Sequence, residues 1–333
     1  MKHKGPKVYI ISLLLSISFL LLFIYLLKDT VYTKLKEFPI ATVLDNPQST
    51  FFLFLVFILM PLNLYLDFSK WKIQENSLSK AIKNKMIKGY LLGLSIAVIT
   101  PNRSGEFLGR LFFMPYKKRF RTIIYSLRSS WAQFIVNIVL GLFSLLLFTS
   151  AQIQLPFSLI WLYALIILVL ALVLLLFLTH EVIIRKILAY RSIAVLVGYL
   201  KMSSRTFNKI SSLLFSKLIL FSLGRYLVYF IQFYFLCIIF SVNLPFYVIL
   251  SGLATIFLLQ MFLPVFSILE IGVKGSLALF VFYNYPEEQF YLILSLGMMW
   301  LINVFIPAIS GLFLFLITQS YRLWKIHSYQ KLQ

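Results

Sequence analysis

The chain has 333 residues, 61% of them hydrophobic, and carries 31 Lys and Arg against 10 Asp and Glu for a net charge of +21. This excludes a soluble globular domain, because long apolar runs such as 8–27, 123–148 and 157–178 could not all be hidden from water at once. It also excludes a nucleic-acid-binding module, because the basic residues cluster in short loops between those runs, which is a topology signal.

In chain order, Lys2, Lys4 and Lys7 precede the run 8–27. That run is longer than a signal-peptide core and no small-x-small cleavage site follows it, so a retained first helix is expected, with the N-terminus in the cytoplasm. The segment 28–49 balances Lys28, Lys34 and Lys36 against Asp29, Glu37 and Asp45 and suits the outside. A second helix is predicted near 50–68. The next loop carries Lys70, Lys72, Lys80, Lys83, Lys85 and Lys88 against Asp67 and Glu75 and is placed inside, with 70–88 either an interfacial amphipathic helix or a solvated loop face.

The run 89–100 is too short to cross a hydrocarbon layer of roughly 30 Å. It ends at Thr100-Pro101-Asn102-Arg103-Ser104-Gly105-Glu106, and a second short run, 107–114, leads to Lys117, Lys118, Arg119 and Arg121. Both flanks are cytoplasmic by charge, so a re-entrant hairpin over about 89–115 is expected. Crossing helices are then predicted near 125–149, 157–179 and 211–241, the last holding Arg225. The run 247–263 breaks at Pro264, and 273–283 ends in an acidic loop with Glu287 and Glu288. A second hairpin, 247–283, therefore enters from outside; the alternative is two separate crossings. A last helix near 289–318 returns to Arg322, Lys325 and Lys331, which puts the C-terminus in the cytoplasm as well. The expected fold is an all-α polytopic membrane bundle of about six spanning helices plus two opposed hairpins. It forms one domain over 1–333 with the character of an inverted repeat.

Charges inside apolar segments cost several kcal/mol each and tend to mark a cavity or pathway. Glu106 and Arg110 share a helix face at four-residue spacing, as do Glu270 and Lys274, in the favourable acid-first order. Arg103 and Arg225 fall outside these pairs and suit a bidentate grip on phosphate. Pro101 and Pro264 should interrupt helices, Gly105 and Gly272 should allow tight or left-handed backbone, and a helix starting after each break would offer its amides to an anion. The candidate binding residues are thus Arg103, Glu106, Arg110, Arg225, Glu270 and Lys274. The two glutamates would orient the cations or recognise an amine; a role for either as a proton carrier is the rival. Tyr226, Tyr229 and Tyr234 make no single stripe and read as packing.

No nucleophile elbow, phosphate loop or His/Asp/Glu metal cluster is visible, so neither enzyme chemistry nor a cofactor is expected. Cys237, the single cysteine, excludes an intrachain disulfide.

The motif Thr100-Pro101-x-Arg103-x-Gly105-Glu106-x-x-x-Arg110 resembles the first motif of the lysylphosphatidylglycerol synthase transmembrane region, a flippase-like family. Pro264 to Val273 resembles its second motif, although Val265-Phe266-Ser267 stands where the family has a glycine pair and Glu270 precedes Gly272-Val273 rather than following it. The resemblance covers roughly 8–320. It implies a stand-alone member, without the aminoacyl-transfer domain, that moves or binds an anionic or polyprenyl-linked lipid in the bacterial cytoplasmic membrane. An accessory lipid-binding protein and a proton-coupled solute carrier are the alternatives. The partners it implies are a membrane lipid and, as protein, a second copy or a lipid-modifying enzyme.

Overall fold

The computed structural model describes residues 46–75, 80–152, 211–263 and 265–330, besides a few isolated positions. Among the described residues every regular element is helical. The chain runs α1 (Pro47–Lys72), α2 (Lys80–Val98), α3 (Gly105–Phe113), α4 (Tyr116–Gln152), α5 (Ser212–Ile239), α6 (Phe246–Met261), a 3₁₀ turn (Ser267–Leu269), α7 (Glu270–Val281), α8 (Gln289–Trp300), a π turn (Leu301–Phe305) and α9 (Ile306–Gln330).

Among the described residues four stretches are long and apolar enough to cross a membrane: Pro47–Lys72, Lys118–Leu145, Leu213–Ile239 and Gln289–Thr318. They coincide with four of the predicted crossings. The predicted helices near 8–27 and 157–179, and Pro264, lie outside the described residues. Local chemistry fixes the ends. Asn46 caps α1, accepting from the Gln48 amide at 2.9 Å, with Pro47 in the first turn. Ser211 caps α5 through the Leu214 amide.

Two predicted boundaries are corrected. The second helix does not end near 68 but continues to Lys72, so Asp67 and Lys70 are buried helix residues rather than loop charges. The run predicted as 89–100 belongs to a helix that starts at Lys80, because the basic stretch before it is itself helical.

α2 and α3 form a tight antiparallel hairpin. Gly89 faces Arg110, Gly93 faces Glu106 and Gly109, and Gly105 faces Ile96. A Cβ on Gly93 would lie 2.8 Å from the Glu106 carbonyl, and one on Gly109 would run into the Gly93 backbone. Small residues at four-residue spacing on both helices let the backbones touch, as in tightly packed membrane helix pairs.

α6 and α7 form the second antiparallel hairpin, joined beside its turn by Gln260 donating to Glu270 at 2.7 Å and, further from the turn, by Phe282 lying over Gly252. Its far side is the main apolar core, where Leu253, Val273 and Phe282 meet Phe233 of α5 and Leu296 of α8.

The two breaks meet. Pro101 and Phe266 form an isolated antiparallel bridge. The Asn102 amide donates to the Val265 carbonyl at 2.8 Å, and the Val265 amide donates to Asn102 Oδ1 at 3.0 Å. Asn102 and Arg103 take the positive φ values this crossing requires, 48° and 57°. Of the tight or left-handed backbone expected at Gly105 and Gly272, the left-handed form is not there: no described glycine has positive φ. Gly105 is needed instead for close approach, since its Cβ would sit 2.6 Å from the Ile96 carbonyl. Gly272 is a buried residue of α7. Asparagine tolerates left-handed backbone better than most residues, and the bridge holds Arg103 in it.

Candidate functional site

All six candidate binding residues line one cavity of about 530 Å³, although they come from three separate stretches of chain. α3 and the loop before it supply Arg103, Glu106 and Arg110; α5 supplies Arg225; α7 supplies Glu270 and Lys274. α1 adds Asp67 and Lys70, and α4 adds Gln133 and Asn137.

The first cluster centres on Asp67. Its Oδ1 accepts Arg225 Nη1 at 2.6 Å and Lys70 Nζ at 2.9 Å, and its Oδ2 accepts the Tyr90 hydroxyl at 3.1 Å. Arg110 Nη2 lies 3.7 Å from the same carboxylate and 2.9 Å from Glu106 Oε2. The Arg110 guanidinium is framed by Trp71 and Tyr90, each 5.6 Å from the cation. Arg225 also donates to Asn63 Oδ1 at 2.8 Å. From there a polar chain runs into the bundle: Asn63 donates to Asn303 and Asn303 donates to Gln232. Asn303 lies in the π turn, a kind of irregularity that often accompanies function.

Arg103 is the least engaged cation. Its Nε lies 2.9 Å from Glu106 Oε1, off the axis of a hydrogen bond, and its side chain is 25% exposed towards the cavity. Arg110 Nε and the Tyr226 hydroxyl are buried at the cavity wall without a hydrogen-bond partner among the described residues.

The second cluster is closed on itself. Lys274 Nζ is 2.9 Å from Glu270 Oε1, which also accepts from Gln260, and the ammonium lies 5.6 Å from the centre of the Phe257 ring.

Among the described residues five basic and three acidic side chains line the cavity, an excess of two positive charges. Buried charges are stable only when paired and hydrogen-bonded, so an excess of one sign favours a counter-ion of the other. The positive excess falls in the first cluster, because the Glu270–Lys274 pair is neutral. The expected use of a helix N-terminus for an anion is corrected for α3. Its leading amides are already taken, Gly105 by the Thr100 hydroxyl at 2.8 Å, Glu106 by the Arg103 carbonyl and Phe107 by the Ser104 carbonyl.

Asp67, Lys70, Asn63, Gln133, Asn137 and Gln260 were not singled out by sequence reasoning. Asp67 and Lys70 looked like flanking loop charges. Their signal was opposite charges at helical spacing directly after an apolar run interrupted by Pro61. Tyr229, read as packing, instead faces the cavity, with its ring 5.7 Å from the Arg225 cation and its hydroxyl 3.4 Å from that guanidinium. Among the described residues no group of three or more His, Cys, Asp and Glu could hold a metal ion.

The chain therefore has the build of a helical membrane protein with an internal, net-cationic cavity. Comparison with protein families, with curated proteins and with solved structures finds no match.

Proposed function

We propose that the cavity binds the phosphate of an anionic lipid headgroup and that the chain carries this lipid between leaflets, as a flippase-like protein of the cytoplasmic membrane. The observation that carries the reading is the excess of two positive charges inside the bundle, with Arg103 facing the cavity and Arg110 Nε unpartnered beside it. Cations held inside a membrane bundle without enough resident carboxylate call for an anionic guest. Arginine suits phosphate because its planar fork can bond two oxygens at once.

In this reading α2–α3 and α6–α7 are re-entrant hairpins from opposite faces, within six crossings in all, and both termini are cytoplasmic. Their junction at Asn102 and Val265 places the break loops beside the cavity, where a lipid carrier's binding site belongs. The resemblance of the Thr100 to Arg110 motif to the flippase-like family points the same way, and it alone supplies a bacterial membrane. A second reading draws on the same junction: hairpins pinned tip to tip suit an accessory protein that holds a lipid without moving it. Glu106 and Glu270 are both paired with resident cations, which lends a proton-carrier role no support.

Reconstitution into vesicles bearing a fluorescent anionic phospholipid, with a membrane-impermeant quencher added outside, tests the transport claim. The expected result is exchange of the inner-leaflet label with the wild type and its loss with Arg103→Gln. Binding of the lipid without exchange would favour the accessory reading; neither binding nor exchange would overturn the proposal.

A further inference from the structure

The cavity walls carry chemistry that a phosphate alone does not use. A space of about 530 Å³ is far larger than one phosphate and falls in the range that encloses a whole small ligand. Each carboxylate facing it is already matched by a resident cation: Asp67 by Arg225 and Lys70, Glu106 by Arg103 and Arg110, Glu270 by Lys274. An incoming ammonium would therefore find cations in excess and no carboxylate to itself.

Uncharged hydrogen-bonding groups are available, in contrast. Gln133 Nε2 donates to Asn137 Oδ1 at 3.1 Å, which fixes the Asn137 amide and leaves its Nδ2 without a hydrogen bond among the described residues. Gln260 commits its Nε2 to Glu270, which leaves Gln260 Oε1 and Glu270 Oε2 as acceptors at the wall. One donor and two acceptors, with Ser129, Ser130 and Ser267 also lining the space, form a hydroxyl-reading surface.

Resting on the phosphate reading above, we propose that the cavity takes a phosphate ester whose other half is an uncharged, hydroxyl-bearing group such as a glycerol or a sugar, and turns away esters that carry an ammonium. The phosphate sits towards Arg103 and Arg110. The hydroxyls face Asn137, Gln260 and Glu270. The shared chemistry is a polyol phosphate, whether it arrives on a lipid or as a free ester.

The test is equilibrium binding to the purified full chain in detergent. Phosphatidylglycerol and phosphatidylethanolamine share the phosphate and differ in whether it carries an uncharged glycerol or an ammonium-bearing ethanolamine. Phosphatidylglycerol should bind at least about tenfold more tightly, because one unpaired buried charge is worth that much or more in a poorly screened site. Asn137→Leu should weaken phosphatidylglycerol and leave phosphatidic acid, which has no polyol, unchanged. Competition by glycerol phosphate would assign the free ester as sufficient; its failure to compete would assign the lipid form. Equal binding of the two lipids, both lost with Arg103→Gln, would overturn this inference and leave the phosphate reading standing. Absence of binding by any of these phosphates would overturn both.

Discussion

The two helical hairpins look alike in sequence, each with a proline break and a glutamate four residues before a base, yet they are built and charged differently. The first is closed by backbone against backbone, with Gly93 and Gly109 in direct contact. The second is closed by a side chain, Phe282 lying over Gly252. The first places Arg103 and Arg110 around one glutamate and adds Asp67, Lys70 and Arg225 from neighbouring helices. The second holds a neutral pair, Glu270 with Lys274. A repeated motif thus marks where a site is without dividing the work equally. In the proposed reading net charge and packing, not motif likeness, decide which half meets the phosphate.

The sharpest way to break this comparison is through the carboxylates. Asp67→Asn leaves Arg225, Lys70 and Arg110 around a neutral amide and should cost roughly 3–5 kcal/mol, the usual effect of removing one member of a buried ion pair. Glu270→Gln releases a single ammonium beside the cavity and should cost less. Thermal unfolding in detergent would show the order; equal losses would mean that the two clusters are equivalent.

A smaller effect separates the two packing modes. Gly109→Ala sets a methyl group against the Gly93 backbone, which cannot step aside, and should cost roughly 1–3 kcal/mol as overpacking does. Gly252→Ala meets the Phe282 ring, which can turn, so its loss should be the lesser in the same melting experiment. The reverse order would deny the first hairpin its backbone-to-backbone closure.

Much of the fold was legible because apolar length and flank charge are strong signals. The helices predicted near 50–68, 125–149, 211–241 and 289–318 all lie on the four long apolar stretches. What failed is instructive. Charge at the end of an apolar run was read as loop, yet Asp67 pairs with both Lys70 and Arg225 inside the bundle, which offsets part of the cost of burying them. Glycine was expected to supply tight or left-handed backbone; the bridge to Val265 imposes the left-handed geometry on Asn102 and Arg103, and the glycines supply the tight contact between helices. The repeats Gly89, Gly93 and Gly105, Gly109 were visible at four-residue spacing. Their meaning depended on knowing that the two helices face each other. The candidate cations and glutamates were legible because charge within apolar sequence is rare. The neutral amides around them were not, since Asn137 and Gln260 look like any polar residue in a helix.

The central claim is that the first hairpin, not the second, holds the phosphate of a lipid in the cavity. Native mass spectrometry of the purified chain tests it most directly, with wild type beside Arg103→Gln and Lys274→Gln. The account predicts a retained anionic phospholipid in the wild type and in Lys274→Gln, and its loss in Arg103→Gln. Retention of that lipid in Arg103→Gln, or equal loss from both variants, would contradict it.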